Sequence, residues 1–222
     1  MYLVRTPAPV SWLYPKLLWH GDRDRKVVYL TFDDGPVPEA TPWVLDRLAS
    51  HGAQATFFCV GSNADAYPEL VERIRAEGHG IGGHTWDHRN GRKEQDRAYF
   101  RSVISCQNAL ATHLFRPPYG RLNRHQMHLL SRRYCIVMWD VLSGDFDARC
   151  SPDRCARNVL FHARNGSIVV FHDSVKAWPR LREALPRVLT DLQEQGYSFE
   201  ALPGSTTDLP DSFQASMPPT RS

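Results

Sequence analysis

The chain has 222 residues, 42% of them hydrophobic, which is enough apolar material for one domain with a substantial core. Its 27 basic and 24 acidic residues leave a net charge of +3. That balance, with no basic run interleaved with aromatics, argues against a nucleic-acid partner. No span reaches the roughly 18–20 apolar residues of a membrane helix, so no transmembrane segment is expected.

Taken in order, the first 20 residues contain Pro7, Pro9 and Pro15 and no apolar run as long as a secretion signal requires. A cytoplasmic location is expected on that ground. The stretch Ser11–Trp19 is nevertheless aromatic and apolar. It reads either as a plug packed on the body of the domain or as a weak membrane-surface contact. Residues 1–25 are taken as an N-terminal extension and residues 26–202 as the body. Val27–Phe32 is a β-branched, apolar run that stops at Asp33-Asp34-Gly35-Pro36, a strand followed by a tight turn. Thr41-Pro42 opens a helix, as N-cap and first helical residue, that Gly52 ends. Ala55–Val60 reads as a second buried strand, Pro68–Glu77 as a helix, and His79–Gly83 as a short strand. A helix of roughly 16 residues ends near Thr112. A short strand follows, ending at Phe115-Arg116-Pro117-Pro118-Tyr119-Gly120, then a helix around 123–133. Tyr134–Trp139 is expected as a strand emptying into a loop over 140–147. Ser151-Pro152 starts another helix, Ser167–Phe171 is a strand ending at His172-Asp173, and Pro179–Gln195 is the last helix. Tyr197–Leu202 reads as a closing strand. From Pro203 onward the composition predicts a disordered tail.

Strands alternating with helices every 25 to 35 residues or so imply a parallel sheet, a barrel or a doubly wound fold. The five cysteines include no Cys-x-x-Cys pair, and reduced thiols are expected. Polar residues gather at strand ends: Asp33-Asp34, His84 and His88, Arg116, Asp145, and His172. A parallel barrel brings those ends to one face. His84 and His88 are four apart, a chelating spacing on one helical turn. With a carboxylate they form the His₂-carboxylate set of hydrolytic zinc sites. Asp87 could orient a ligand histidine or be a solvated loop carboxylate, and His125 and His128 read as helix-surface residues.

Thr31-Phe32-Asp33-Asp34-Gly35-Pro36, His84-Thr85-Trp86-Asp87-His88, Arg116-Pro117-Pro118-Tyr119-Gly120 and Val170-Phe171-His172-Asp173 resemble, in order, the motifs of the polysaccharide deacetylases. These form carbohydrate esterase family four, the NodB-homology domain, and the similarity spans about Val27 to Gln195. The resemblance implies an α/β fold, a distorted (β/α) barrel of parallel strands with its site at the strand C-terminal ends. It also implies metal-dependent hydrolysis of an N-acyl group from an N-acetylglucosamine-type sugar. By this resemblance Asp34, His84 and His88 hold the metal. Asp33 is the base and His172 the acid, Arg116 orients Asp33, and the Tyr119 backbone N–H helps bind the oxyanion. One divalent ion is expected, Zn²⁺ by default, with Co²⁺, Mn²⁺ or Ni²⁺ also compatible.

The fourth motif departs from the family's Asp-x-x-Asp-Trp. Here Leu142-Ser143-Gly144-Asp145-Phe146 stands in its place. Asp145 keeps the carboxylate that pairs with the acid histidine, while Leu142 replaces an acid and Phe146 a tryptophan wall. Val170 stands where the family has leucine and lines the acetyl-methyl pocket. These changes leave catalysis intact and the substrate open. A deformylase of a lipid-linked sugar, a cyclic-amide hydrolase and a silent carbohydrate-binding relative are the rival readings.

Overall fold

The computed structural model describes residues 2–204; apart from Pro203 and Gly204, the segment read as a disordered tail lies outside the described residues. The strands are β1 Val27–Asp33, β2 Ala55–Cys59, β3 Gly80–Gly83, β4 Leu114–Phe115, β5 Cys135–Ile136, β6 Val141–Leu142, β7 Ser167–His172 and β8 Ser198–Phe199. The α-helices are α1 Ala8–Leu13, α2 Thr41–Ser50, α3 Gly61–Ala66, α4 Pro68–Ala76, α5 Asp96–Leu110, α6 Arg124–Leu130, α7 Pro152–His162 and α8 Trp178–Glu194. The strands form one sheet in the order β5-β4-β3-β2-β1-β7-β6, with β8 added beside the start of β1. Every ladder between these strands is parallel.

β1 lies mid-sheet and is buried along its whole length, which is why it reads as an unbroken apolar run rather than an alternation. Its two faces serve two cores. Val28, Leu30 and Phe32 point outward and pack with Val169, Phe171, Leu45 and Leu185 beneath the helices. Val27 and Tyr29 point inward and fill the curl of the sheet with Phe58, Val137 and Ile168. The period of two then carries Asp33 onto the inner face at the end of β1, and His172 onto it at the end of β7. Asp33 and His172 are direct partners in the β1–β7 register.

Residues 135–142 behave as one bent strand. Its first half pairs with β4 and its second half with β7, so the curled sheet comes round upon itself. The expected strand over 134–139 and loop over 140–147 are corrected accordingly: ladder pairing is lost at 137–140, where the chain changes partners, and resumes at Val141. The N-terminal segment covers the edges exposed there. Leu142 N donates to Val4 O (2.7 Å), Thr6 N to Asp140 O (2.9 Å), and Met138 N to Leu18 O (2.7 Å). Leu17, Leu18 and Trp19 pack into the body, whereas α1 buries none of its residues.

Two further differences have local causes. Thr41 lies inside α2, and the N-cap is Ala40. The Thr41 hydroxyl instead donates to Asp173 (2.6 Å) and accepts from Val37 N (2.8 Å). α3 has no apolar stripe to reveal it; only Gly61 and Ala64 are buried.

Candidate active site

All five polar strand ends converge on the mouth of the sheet. Asp34, just beyond β1, lies with its Oδ1 3.0 Å from His88 Nε2 and 3.7 Å from His84 Nε2. One ligand-competent atom of each residue falls within 4.8 Å of the others. The chemistry of the set fits a divalent cation. His84 Nδ1 is 2.8 Å from the Arg116 carbonyl oxygen, an acceptor only, so Nδ1 carries the proton and Nε2 offers its lone pair. Burial drives the His84 imidazole down to about 4, against the pull of Asp33 and Asp34, which keeps it neutral as a ligand must be. Burial opposes ionisation of Asp34, but His88, His172 and His84 override it and hold the carboxyl below its usual range. Asp34 Oδ1 is buried and without a hydrogen-bond partner, an orphan that a cation would satisfy.

Asp33 faces a different environment. Its Oδ1 accepts from Arg116 Nη1 at 2.6 Å. Arg116 is fully buried and every arm of its fork is used. Nη1 also donates to Thr31 Oγ1 (2.7 Å), Nη2 to Met138 O (2.9 Å) and Nε to Val137 O (3.3 Å). The guanidinium sits 4.0 Å from the Phe58 ring centroid. A buried charge is tolerable only when paired and hydrogen-bonded this fully.

On the far side, His172 Nδ1 is 2.8 Å from Asp145 Oδ1, and the His172 backbone N–H donates to Asp145 Oδ2, also at 2.8 Å. Burial lowers the affinity of His172 for a proton. Asp145 and then Asp34 and Asp33 more than reverse this, raising it to about 9. Asp145 thus favours the imidazolium. Phe146 packs edge-on against His172 with ring centroids 5.3 Å apart. Val170 is buried one inward step below His172, level with Leu142. Tyr119 exposes its ring beside His88, centroids 4.8 Å apart.

The backbone is bent to suit. Asp34, Thr85, His88 and Tyr119 all have φ between 54° and 80°, a region that costs free energy and collects at functional sites. Hydrogen bonds pin these turns: Asn63 Nδ2 donates to Asp34 O (2.8 Å) and Gly61 N to Thr85 O (2.9 Å). Thus α3 clamps both metal-side loops.

Asp87 serves neither ligand histidine; it accepts from Ser102 Oγ (2.6 Å) and Arg89 Nε (2.6 Å). His125 is exposed and meets Asp96. Two residues escaped sequence reasoning. Asp173, buried at 1% exposure, accepts from Gly35 N (3.1 Å) and Thr41 Oγ1 (2.6 Å); a Cβ at position 35 would strike this carboxylate, so glycine is required. Burial, reinforced by Asp34, pushes the Asp173 carboxyl up to about 8. Tyr2 stacks behind Phe146, centroids 4.8 Å apart, and its hydroxyl fills the space a Cβ at Gly144 (φ 86°) would need. Asp173 closes the Val170-Phe171-His172-Asp173 motif but was given no role of its own, and Tyr2 carried no motif.

The polar cluster lies at the C-terminal ends of a parallel sheet, where α/β enzymes build their active sites. The family model for polysaccharide deacetylase matches residues 20–132. A peptidoglycan-N-acetylglucosamine deacetylase of Bacillus cereus is 34% identical over 205 residues, covering 88% of this chain and 74% of that one. A chitooligosaccharide deacetylase of Azorhizobium caulinodans is 31% identical, covering 82% and 95%. Among solved structures, a peptidoglycan N-acetylglucosamine deacetylase in complex with 4-naphthalen-1-yl-N-oxidanyl-benzamide superimposes with a TM-score of 0.82 at 33% identity, covering 90% of this chain and 98% of that one. A mutant described as a CE4 family pseudoenzyme with restored enzymatic activity gives 0.73 at 26% identity, covering 83% of this chain and 68% of that one. The chain belongs to the polysaccharide deacetylase family.

Proposed function

We propose that the protein is a metal-dependent deacetylase that removes an N-acetyl group from an N-acetylglucosamine-type carbohydrate. The observation that carries this reading is the opposition of two preformed pairs across one mouth. Asp34 with its two histidines stands on one side, and His172 charged by Asp145 on the other, with Arg116-held Asp33 between. The named relatives, deacetylases of peptidoglycan and of chitooligosaccharides, support the substrate class.

Asp34, His84 and His88 would hold the ion, Zn²⁺ by default. When bound, a divalent ion polarises an acyl oxygen and acidifies water. Asp33, aimed by Arg116, takes the proton from the attacking water, work worth ~10²- to 10⁴-fold. The Tyr119 backbone N–H meets the developing oxyanion. His172 protonates the departing amine, which is too basic to leave as an anion, and Asp145 holds the imidazole with Nε2 toward the mouth. Val170 and Phe146 bound the acyl group and the sugar.

The test is acetate release measured side by side on peptidoglycan, chito-oligosaccharides and small N-acetyl sugars, with metal analysis of the same preparation. About one divalent ion per chain and turnover on at least one of these sugars are expected. A metal-free preparation with full activity would refute the mechanism. Release of formate but not acetate would move the reading to the deformylase.

A further inference from the structure

The net charge of +3 conceals a division along the chain. Residues 1–21 and 97–139 contain nine of the 27 basic residues and none of the 24 acidic ones, so they carry +9 against −6 for the remainder. The fold brings the two acid-free stretches together. Leu17 and Trp19 pack with Tyr99, Val103, Leu130 and Ile136 in one cluster. Leu18 runs parallel beside Val137, just beyond the turn that Tyr14 closes with Leu17. Arg97, Arg101, Arg121, Arg124, Arg132 and Arg133 are all exposed, and among the described residues none of them is in an ion pair. Lys16 is exposed too. Of the carboxylates that flank these stretches, Asp96 is taken up by Asn123, His125 and Gln126 and Asp140 by Arg23 and Ser167.

An apolar tip projects from this basic flank. Of the nine residues 7–15, seven are exposed, and all seven are Pro, Ala, Trp, Leu or Tyr. Trp12 is 76% and Leu13 73% exposed. Single exposed apolar residues need no explanation, but a contiguous patch does. Three occupants are conceivable and the charge decides between them. Leaving out Arg116, buried against Asp33, and Arg5, paired with Asp140, a second copy of the chain would set seven cations against seven, which repels. A nucleic acid would engage the arginines and leave Trp12 and Leu13 in water. An anionic lipid surface takes both chemistries at once: the aromatic and aliphatic tip enters the headgroup boundary while the cations meet phosphate.

We propose that this flank docks on an anionic lipid surface, Trp12 and Leu13 entering the interface and Lys16, Arg132 and Arg133 meeting headgroup phosphates. Among the described residues no helix is long and apolar enough to cross a membrane, so the contact is peripheral.

Flotation of the full chain with phosphatidylcholine vesicles, with and without phosphatidylglycerol, tests this. Binding is expected only to the anionic vesicles, weakening as salt rises and accompanied by a blue shift of tryptophan emission. Trp12→Ser with Leu13→Ser, and separately Arg132→Glu with Arg133→Glu, should each weaken it by about tenfold or more. Circular dichroism and acetate release from a soluble chito-oligosaccharide should be unchanged, because α1 buries nothing and both pairs lie away from the mouth. Absence of binding to the anionic vesicles, or binding indifferent to both double variants, would overturn the proposal. So would tighter binding to duplex DNA at the same salt with the tip variant unaffected, or a dimer in solution that the tip variant dissociates.

Discussion

Asp33 and Asp34 are adjacent in sequence and differ in what holds them. Asp33 is locked by a buried guanidinium at 2.6 Å; Asp34 turns away at φ 80° toward two imidazoles. Their substitutions should therefore separate. Asp33→Asn should lower kcat by ~10²- to 10⁴-fold with the ion content kept, whereas Asp34→Asn should lose the ion; equal ion loss in both would show that the roles are shared. His172 offers a second residue-level test. Its proton affinity is raised to about 9, with Asp145 the main partner opposing burial. As the acid it must be charged, so activity should fall as pH rises through that group's pKa. A cation beside Asp34 would bring the limb somewhat lower. Asp145→Asn removes the main support, so the alkaline limb of kcat/KM should move to lower pH. An unmoved limb in that variant would assign the proton to another group.

At the scale of elements, the two strands that end in Asp33 and His172 are tied together by Asp173. Asp173 N donates to Asp33 O (3.1 Å), and its carboxyl holds the Gly35 turn and the start of α2. With its pKa raised to about 8, it binds a proton more tightly folded than unfolded. Its contribution to stability is thus full below the ordinary carboxylate range and declines as pH rises toward 8, the reverse of a salt-bridged aspartate. Asp173→Ala should cost ~1–3 kcal/mol by stranding the Gly35 donor. Asp173→Asn should cost less and flatten the decline of urea-unfolding stability between pH 5 and pH 8 (about one proton's worth). β1, β2, β7 and the helices α2, α4, α5, α7 and α8 were legible in sequence because each carries a run or stripe that one face of the sheet demands. His84, His88 and Arg116 were picked out because they stand in motifs that resemble the family's; that they meet Asp34 and Asp33 at one mouth is what the structure adds. The bent strand 135–142 was not, since its break is set by which neighbour it meets. Tyr2 was not, because a single aromatic far from any motif says nothing until β6 draws Val4, and Tyr2 with it, to the Phe146 wall.

Taken as a whole molecule, fold and site share their fastenings. The ligand set joins the turn after β1 to the loop after β3, and His84 reaches the end of β4 through the Arg116 carbonyl. All these loops hold residues at positive φ, and three like-facing polar groups crowd one spot. An ion that binds only the folded chain should stabilise it by RT ln(1 + [M]/Kd), about 4 kcal/mol at a thousandfold excess over Kd. For a chain of this size each kcal/mol is worth roughly 2–4 °C. Thermal melts with saturating Zn²⁺ and then with excess chelator should therefore differ by on the order of 10 °C. The His84→Ala variant should melt alike in both conditions. Asp33→Asn should retain most of the difference, since its carboxylate is committed to Arg116 and not to the ion. A wild-type melting curve indifferent to chelator, in protein that contains the ion, would mean the ion is held without bracing the loops. The strained turns would then owe their conformation to the chain's own hydrogen bonds, those from α3 and Asp173 among them.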